Sequence, residues 1–212
     1  MLKVCEIFKS IQGESSFAGE ICSFIRLTGC NLSCAYCHTG YARQEGEYRE
    51  IGAIVAEVES HRTRFVEITG GEPLLQAETP LLCEKLLAAG MTVLVETNGS
   101  LDISALPEPV VRIMDVKCPS SGMANSLHMN NLKELTGNDQ CKLVIADRDD
   151  FSWATAFLGT HRLFGRVPVI FSPAFGILPP RLLADWILQA GLPIRLGLQL
   201  HKFIWDPQQR GV

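Results

Sequence analysis

No stretch of this 212-residue chain stays apolar long enough to cross a bilayer as a helix, which takes about 20 consecutive residues. The opening MLKVCEIFKS is interrupted by Lys3, Glu6 and Lys9, so it lacks the apolar core of a secretory signal. A basic excess is missing too. Nineteen lysines and arginines against 23 aspartates and glutamates leave a formal charge of -4, which offers no field for gripping a nucleic-acid backbone. Linkers, internal repeats and low-complexity tracts are absent, and the length suits one domain, 1–212, with a substantial core. These absences point to a cytoplasmic chain with neither membrane nor nucleic-acid partner, acting on a small molecule.

Apolar runs rich in β-branched residues recur along the chain: ICSFIRL, RFVEIT, MTVLVET, VVRIMDV, CKLVIA, VPVIF and IRLGL. Helical patterns fall between several of them, over Ile51 to His61, Gln76 to Ala89 before Gly90, Asp149 to Leu158, and Pro180 to Ala190 before Gly191. Alternating strands and helices predict an α/β fold with a mainly parallel sheet. Six or so strands are too few for a closed eightfold barrel, so an open or partial barrel is expected. Ligand sites in such sheets lie beyond the carboxyl ends of the strands.

Eight cysteines are many for a chain of this kind, which neither needs nor easily keeps disulfides. Cys5, Cys22, Cys83, Cys118 and Cys141 are scattered among apolar neighbours and read as packing residues. The other three, Cys30, Cys34 and Cys37, form C-x-x-x-C-x-x-C just after ICSFIRL. A structural zinc site closes with four ligands, whereas this loop supplies three thiolates. Three thiolates on a 4Fe-4S cluster leave one iron open, and the amino and carboxylate groups of S-adenosylmethionine suit that position. Two other readings remain at this point: a zinc knuckle completed by His38 or Cys22, and a ferredoxin-like cluster closed by a remote cysteine.

Further polar groups follow later strands. Gly70 and Gly71 allow close backbone approach to a ligand's ammonium group, and Glu72 supplies negative charge, although the same residues make a tight turn before a helix. Glu96, Thr97 and Asn98 suit ribose hydroxyls or a plain Asn-Gly turn. Asp115 and Lys117 could bind a nucleoside or pair at the surface. Phe171, Ser172 and Pro173 offer an apolar wall and a hydroxyl for an adenine. Their joint placement after successive strands favours one site.

With C-x-x-x-C-x-x-C and TGGEP in order, the chain resembles the radical S-adenosylmethionine superfamily. The segments EIFKSIQGES, FIRLTGCNLSCAYCHT, ITGGEPLLQ, VETNGS, DVKCPSS and QLHKFIW…RGV resemble its 7-carboxy-7-deazaguanine synthase branch over essentially the whole length. The resemblance implies a homodimer with a modified, incomplete (β/α)6-type barrel. It also implies Mg2+-assisted ring contraction of 6-carboxy-5,6,7,8-tetrahydropterin to 7-carboxy-7-deazaguanine with loss of ammonia, on the route to queuosine. The radical would come from reductive cleavage of S-adenosylmethionine, with an electron donor such as flavodoxin or ferredoxin as a further partner.

By that likeness Thr39 ligates Mg2+ through its hydroxyl, as a hard cation prefers oxygen. Ile11, Gln12, Gly13, Glu14, Arg26, Thr69 and His201 meet the pterin, and the terminal carboxylate of Val212 closes its pocket. Tyr36, Cys37, His38, Gly71, Glu72, Asp115, Lys117, Phe171, Ser172 and Pro173 surround the nucleoside. Arg26 suits the pterin carboxylate. The chain departs from the branch where His38 replaces the usual aspartate, which lowers local negative charge, and where Asp115-Val116-Lys117 replaces serine-proline-lysine. A glycyl-radical activating enzyme shares the cluster loop, but the Gln12-Gly13-Glu14 opening and the chain's closing segment suit a small molecule better than a protein substrate.

Replacing any one of Cys30, Cys34 or Cys37 by alanine is expected to abolish reductive cleavage of S-adenosylmethionine, measured as 5'-deoxyadenosine by chromatography. A single-alanine variant that still cleaves it would sink the cluster assignment.

Overall fold

The computed structural model describes all residues, 1–212. Its strands are β1 (Leu2–Ile11), β2 (Ile21–Leu27), β3 (Glu47–Arg49), β4 (Phe65–Gly70), β5 (Thr92–Thr97), β6 (Val111–Asp115), β7 (Gln140–Ile145), β8 (Val169–Pro173) and β9 (Ile194–Leu196). The helices are α1 (Ile51–Ser60), α2 (Thr79–Ala88), α3 (Asn131–Glu134), α4 (Arg148–Thr160), α5 (Pro180–Ala190) and α6 (His201–Ile204). None is long and apolar enough to cross a membrane.

All strands join one sheet in the order β3-β1-β2-β4-β5-β6-β7-β8-β9. From β2 to β9 the neighbours run parallel, while β1 is antiparallel to both β2 and β3. β3 and β9 end the order without pairing to each other, so the barrel is incomplete, as the β/α alternation and strand number lead one to expect. The β1 and β3 strands lie outside that alternation. The loop between β1 and β2 bridges the concave side: Ser16 N donates to Gln140 Oε1 at 2.8 Å, and Gln140 Nε2 donates back to Ser16 Oγ at 2.7 Å.

Period-two alternation sorts each strand's residues. Val66 and Ile68 of β4 and Val93 and Val95 of β5 face the outer helices, in a core shared with Ile54 and Val58 of α1 and Leu82 and Leu86 of α2. A second outer core joins Leu143 and Ile145 of β7 and Phe171 of β8 to Phe151 of α4 and Leu183 of α5. Inside the sheet, Cys22, Phe24 and Phe65 pack with Phe8 and Phe17 as an apolar plug. The helices match the sequence pattern within a few residues, with one instructive difference. α2 begins at Thr79 rather than Gln76, because the Gln76 side chain bonds Lys3 N at 2.7 Å and the Lys3 and Thr28 carbonyls at 2.9 and 3.0 Å.

Asp139, fully buried before β7, accepts from Arg112 N, Nε and Nη2 and from both Thr136 donors at 2.7–2.9 Å. Asp139→Ala strands the guanidinium of Arg112, which is only 8% exposed. It should therefore lower unfolding free energy by roughly 3–5 kcal/mol in urea titration. A loss below about 1 kcal/mol would mean that water replaces the carboxylate.

Candidate active site

A cavity of about 280 Å³ opens at the carboxyl ends of the parallel strands, where inward-facing polar residues succeed the apolar plug. Arg26 of β2, Thr69 of β4, Glu96 of β5, Asp115 of β6 and Lys142 of β7 all line it. Arg26 and Thr69 are direct register partners, as are Asp115 and Lys142, so the parallel pairing itself sets these side chains in one ring.

Lys142 organises that ring. It is 3% exposed, and its Nζ meets Glu14 Oε2 at 2.5 Å, Glu96 Oε1, and Asp115 Oδ2 at 3.6 Å. Burial opposes its charge, but the surrounding carboxylates outweigh this and raise its pKa well above the ordinary lysine value. Burial likewise pushes the Glu14 carboxyl up, yet Lys142, with Gln199 donating to Glu14 Oε1 at 2.9 Å, reverses this and holds it down to about 2. Gln12 links Glu14 to a second buried acid. Its Oε1 accepts from Glu14 N at 2.5 Å while its Nε2 donates to Glu67 Oε2. Glu67 has no lysine contact; burial, with Glu96 and Glu14 nearby, pushes its carboxyl well up. Of these two acids, the one touching the ammonium is held down and the other is pushed up.

The cysteine loop follows β2 and is pinned at several points. Gly29 N donates to Ala42 O at 2.9 Å, Glu72 N donates to Gly29 O at 2.7 Å, and Asn98 Nδ2 donates to Asn31 Oδ1 at 3.2 Å. Cys30, Cys34 and Cys37 are free, none is buried, and all three line the cavity. They do not converge on one point with other ligating side chains as a mononuclear ion would require. Leu32 N lies 3.5 Å from Cys30 Sγ and Asn98 Nδ2 lies 3.9 Å from it, placing donors where thiolate charge would sit. Gly71 packs against this loop so tightly that a Cβ there would collide with Gly29 O and Cys30 Cβ. The donor set and the glycine cradle fit a cluster with a small ligand against it.

On another part of the cavity wall, α6 docks on the loop after β1. Leu200 N donates to Gly13 O at 2.9 Å, and the His201 ring lies where a Cβ on Gly13 would fall. Burial lowers the His201 pKa, and it pushes the neighbouring Lys202 down to about 8. Arg26 Nε donates to Glu6 Oε1 at 2.6 Å, an oxygen that also accepts from Tyr41 OH at 2.9 Å.

Most sequence-predicted site residues therefore meet. Ile11, Gln12, Gly13, Glu14, Arg26, Thr69, His201 and Val212 line the cavity, together with Tyr36, His38, Thr39, Gly71, Asp115 and Lys117. Lys117 Nζ pairs with Asp115 Oδ2 at 2.9 Å. Four expected nucleoside contacts fall outside it. Phe171 is fully buried in the outer core, on the helix side of β8. Pro173 lines a second cavity, which shares Phe175 and Gln199 with the first. Ser172 points inward but is 2% exposed and closed off by Gly197, where a Cβ would meet its Oγ. Glu72 is fully buried and accepts from Leu74 N, Thr97 Oγ1 and Asn98 N at 2.7–3.0 Å, so its carboxylate ties strand ends together.

Lys142, Glu67 and Lys202 are cavity residues that sequence reasoning passed over. The first two had a signal: each is a lone charge inside an apolar strand run, which burial on both faces permits only with a partner.

The Radical SAM superfamily profile matches residues 24–118, from β2 through the cysteine loop to the end of β6. The structure superposes on that of QueE from Escherichia coli with a TM-score of 0.78 at 21% identity, covering 94% of each chain, a likeness of fold. An incomplete parallel barrel with three thiols beyond its first parallel strand defines a radical S-adenosylmethionine protein. Two relatives named 7-carboxy-7-deazaguanine synthase match over the full chain. That of Koribacter versatilis is 45% identical over 100% of both sequences, and that of Chlorobaculum tepidum is 44% identical over 100% of this chain and 97% of its own. The chain belongs to the 7-carboxy-7-deazaguanine synthase family.

The carboxyl of Glu67 has a folded pKa above its ordinary 4.5, so its protonated form stabilises the fold below that value and the contribution is lost as pH rises through the folded pKa. Glu67→Gln stays neutral throughout. The melting temperature of this variant should gain on that of the wild type as pH rises from about 5 to 9; parallel melting curves across that range would show Glu67 to be ionised.

Proposed function

We propose that the protein acts as a 7-carboxy-7-deazaguanine synthase on 6-carboxy-5,6,7,8-tetrahydropterin, releasing ammonia, with residues 1–212 as one catalytic domain. The observation that carries this reading is the set of groups one cavity brings together: three free thiols and a hydrogen-bonding platform of Gln12, Glu14, Arg26, Thr69 and His201. Family membership supports the same reaction.

Cys30, Cys34 and Cys37 would hold a 4Fe-4S cluster, with S-adenosylmethionine lying against Tyr36, Gly71, Asp115 and Lys117. Bound there, these groups supply one-electron cleavage and hydrogen-atom abstraction. The protein's part is placement. Glu14, held anionic by Lys142, accepts from the amino edge of a pterin, and Gln12 is fixed by Glu14 N and Glu67. Arg26, braced by Glu6, keeps its remaining guanidinium donors for an acceptor in the cavity. Thr39 makes no side-chain capping bond and its hydroxyl has only a long 4.0 Å contact, to Cys37 Sγ, so it would be available to ligate Mg2+, and burial lowers the His38 pKa, favouring the neutral imidazole beside it. A homodimer in the cytoplasm, served by a donor such as flavodoxin or ferredoxin, completes the proposal. A glycyl-radical activating enzyme would need room for a protein loop, whereas the loop after β1 and α6 bond to each other across this cavity.

The test is anaerobic incubation of the reconstituted protein with S-adenosylmethionine, reductant and the carboxytetrahydropterin, following product by mass spectrometry. 7-Carboxy-7-deazaguanine is expected, and Arg26→Ala should lose turnover by about 100-fold or more while retaining its iron, in line with loss of a charged contact to substrate. Deoxyadenosine without the deazaguanine would refute the pterin as substrate; equal loss of iron would make Arg26 structural.

A further inference from the structure

The cations around the cavity differ in what balances them. Arg26 has Glu6, Lys117 has Asp115, Lys142 has three carboxylates, and Arg210 has Glu45. Lys202 has none. The residue is 6% exposed and lines the cavity, yet its Nζ makes no hydrogen bond. Its charge rests 4.8 Å from the centre of the Phe175 ring, a contact that does not replace an anion. Glu14, an acid that acts on it electrostatically, is committed, with Oε2 held by Lys142 and Oε1 by Gln199. Arg43 Nε is also unpartnered, but that residue is only half-buried and keeps some contact with water.

A buried ammonium without a partner is unfavourable, and a fold that retains one leaves a place for an incoming negative charge. The class of that charge follows from position. Lys202 sits on α6, which docks through Leu200 N on Gly13 O beside the Gln12–Glu14 platform. A carboxylate arriving beside that platform is assigned to the substrate that the platform would hold.

We propose that Lys202 is a specificity-determining residue that pairs with the substrate's carboxylate, completing the ion pair the folded chain leaves open. The inference rests on the pterin reading above and deepens it, because Arg26 already shares its charge with Glu6 whereas the Lys202 amine has no anionic partner within the folded chain.

The experiment compares wild-type, Lys202→Met and Lys202→Arg proteins, anaerobically reconstituted and holding S-adenosylmethionine. Each is titrated by pterin fluorescence with 6-carboxypterin and with 6-hydroxymethylpterin, which lacks the carboxylate. Lys202→Met should weaken 6-carboxypterin at least about 30-fold and change 6-hydroxymethylpterin by less than about twofold, as expected when one side of a buried charge pair is lost. Lys202→Arg should recover much of the affinity. Heat denaturation should find Lys202→Met at least as stable as the wild type, since it removes an unpaired buried charge. Unchanged 6-carboxypterin binding, or equal weakening of both ligands, overturns the assignment while leaving the pterin reading intact. A wild-type protein that binds neither pterin overturns the reading itself and this inference with it.

Discussion

The arrangement of the site turns on the buried ammonium of Lys142. A charge only 3% exposed in the middle of β7 is tolerable only if carboxylates reach it from elsewhere. They come from Glu14 on the loop after β1, Glu96 at the end of β5 and Asp115 at the end of β6. That requirement draws the loop after β1 across the concave side of an open sheet, where the Ser16–Gln140 pair also holds it. The same contacts set the two acids apart, since the ammonium holds the Glu14 carboxyl down while burial pushes that of Glu67 up.

Two further sets of contacts turn this strut into a site. Backbone bonds from Gly29 to Ala42 and Glu72, with the Asn31–Asn98 pair, anchor the cysteine loop to the ends of β4 and β5. Gln199 and Leu200 bring α6 onto the residues after β1. Asp115 touches both Lys117 and Lys142. The charges of Lys117 and of Glu14 are thus parts of one network, so the cavity is ordered before a ligand arrives, which reduces the ordering cost of binding.

Much of the fold was legible. Every apolar run that alternates with a helix became a parallel strand, because strands covered on both faces must be apolar nearly throughout. β1 was not, since LKVCEIFKSI carries Lys3, Glu6 and Lys9 and lies only partly buried in an antiparallel pairing. β3 is three residues long, too short for a periodic signal. A run buried on both faces also hides its phase. VPVIF gives no indication that Phe171 faces the helices while Ser172 faces inward, since successive side chains of a strand point to opposite faces of the sheet.

The sequence by itself determined the β/α order and the three-thiol loop beyond the first parallel strand, because these are local: they depend on spacing, turn chemistry and runs of a few residues, whereas the Gln12–Glu14 platform was readable only through the family resemblance. Only the tertiary structure decided that Glu72 braces strand ends rather than facing a ligand, that the Glu14 carboxyl is held down while that of Glu67 is pushed up, and that Lys202 is left without a partner. Each of these depends on which distant groups share a buried volume and on how few anions reach it, and a chain read in one dimension carries no measure of either.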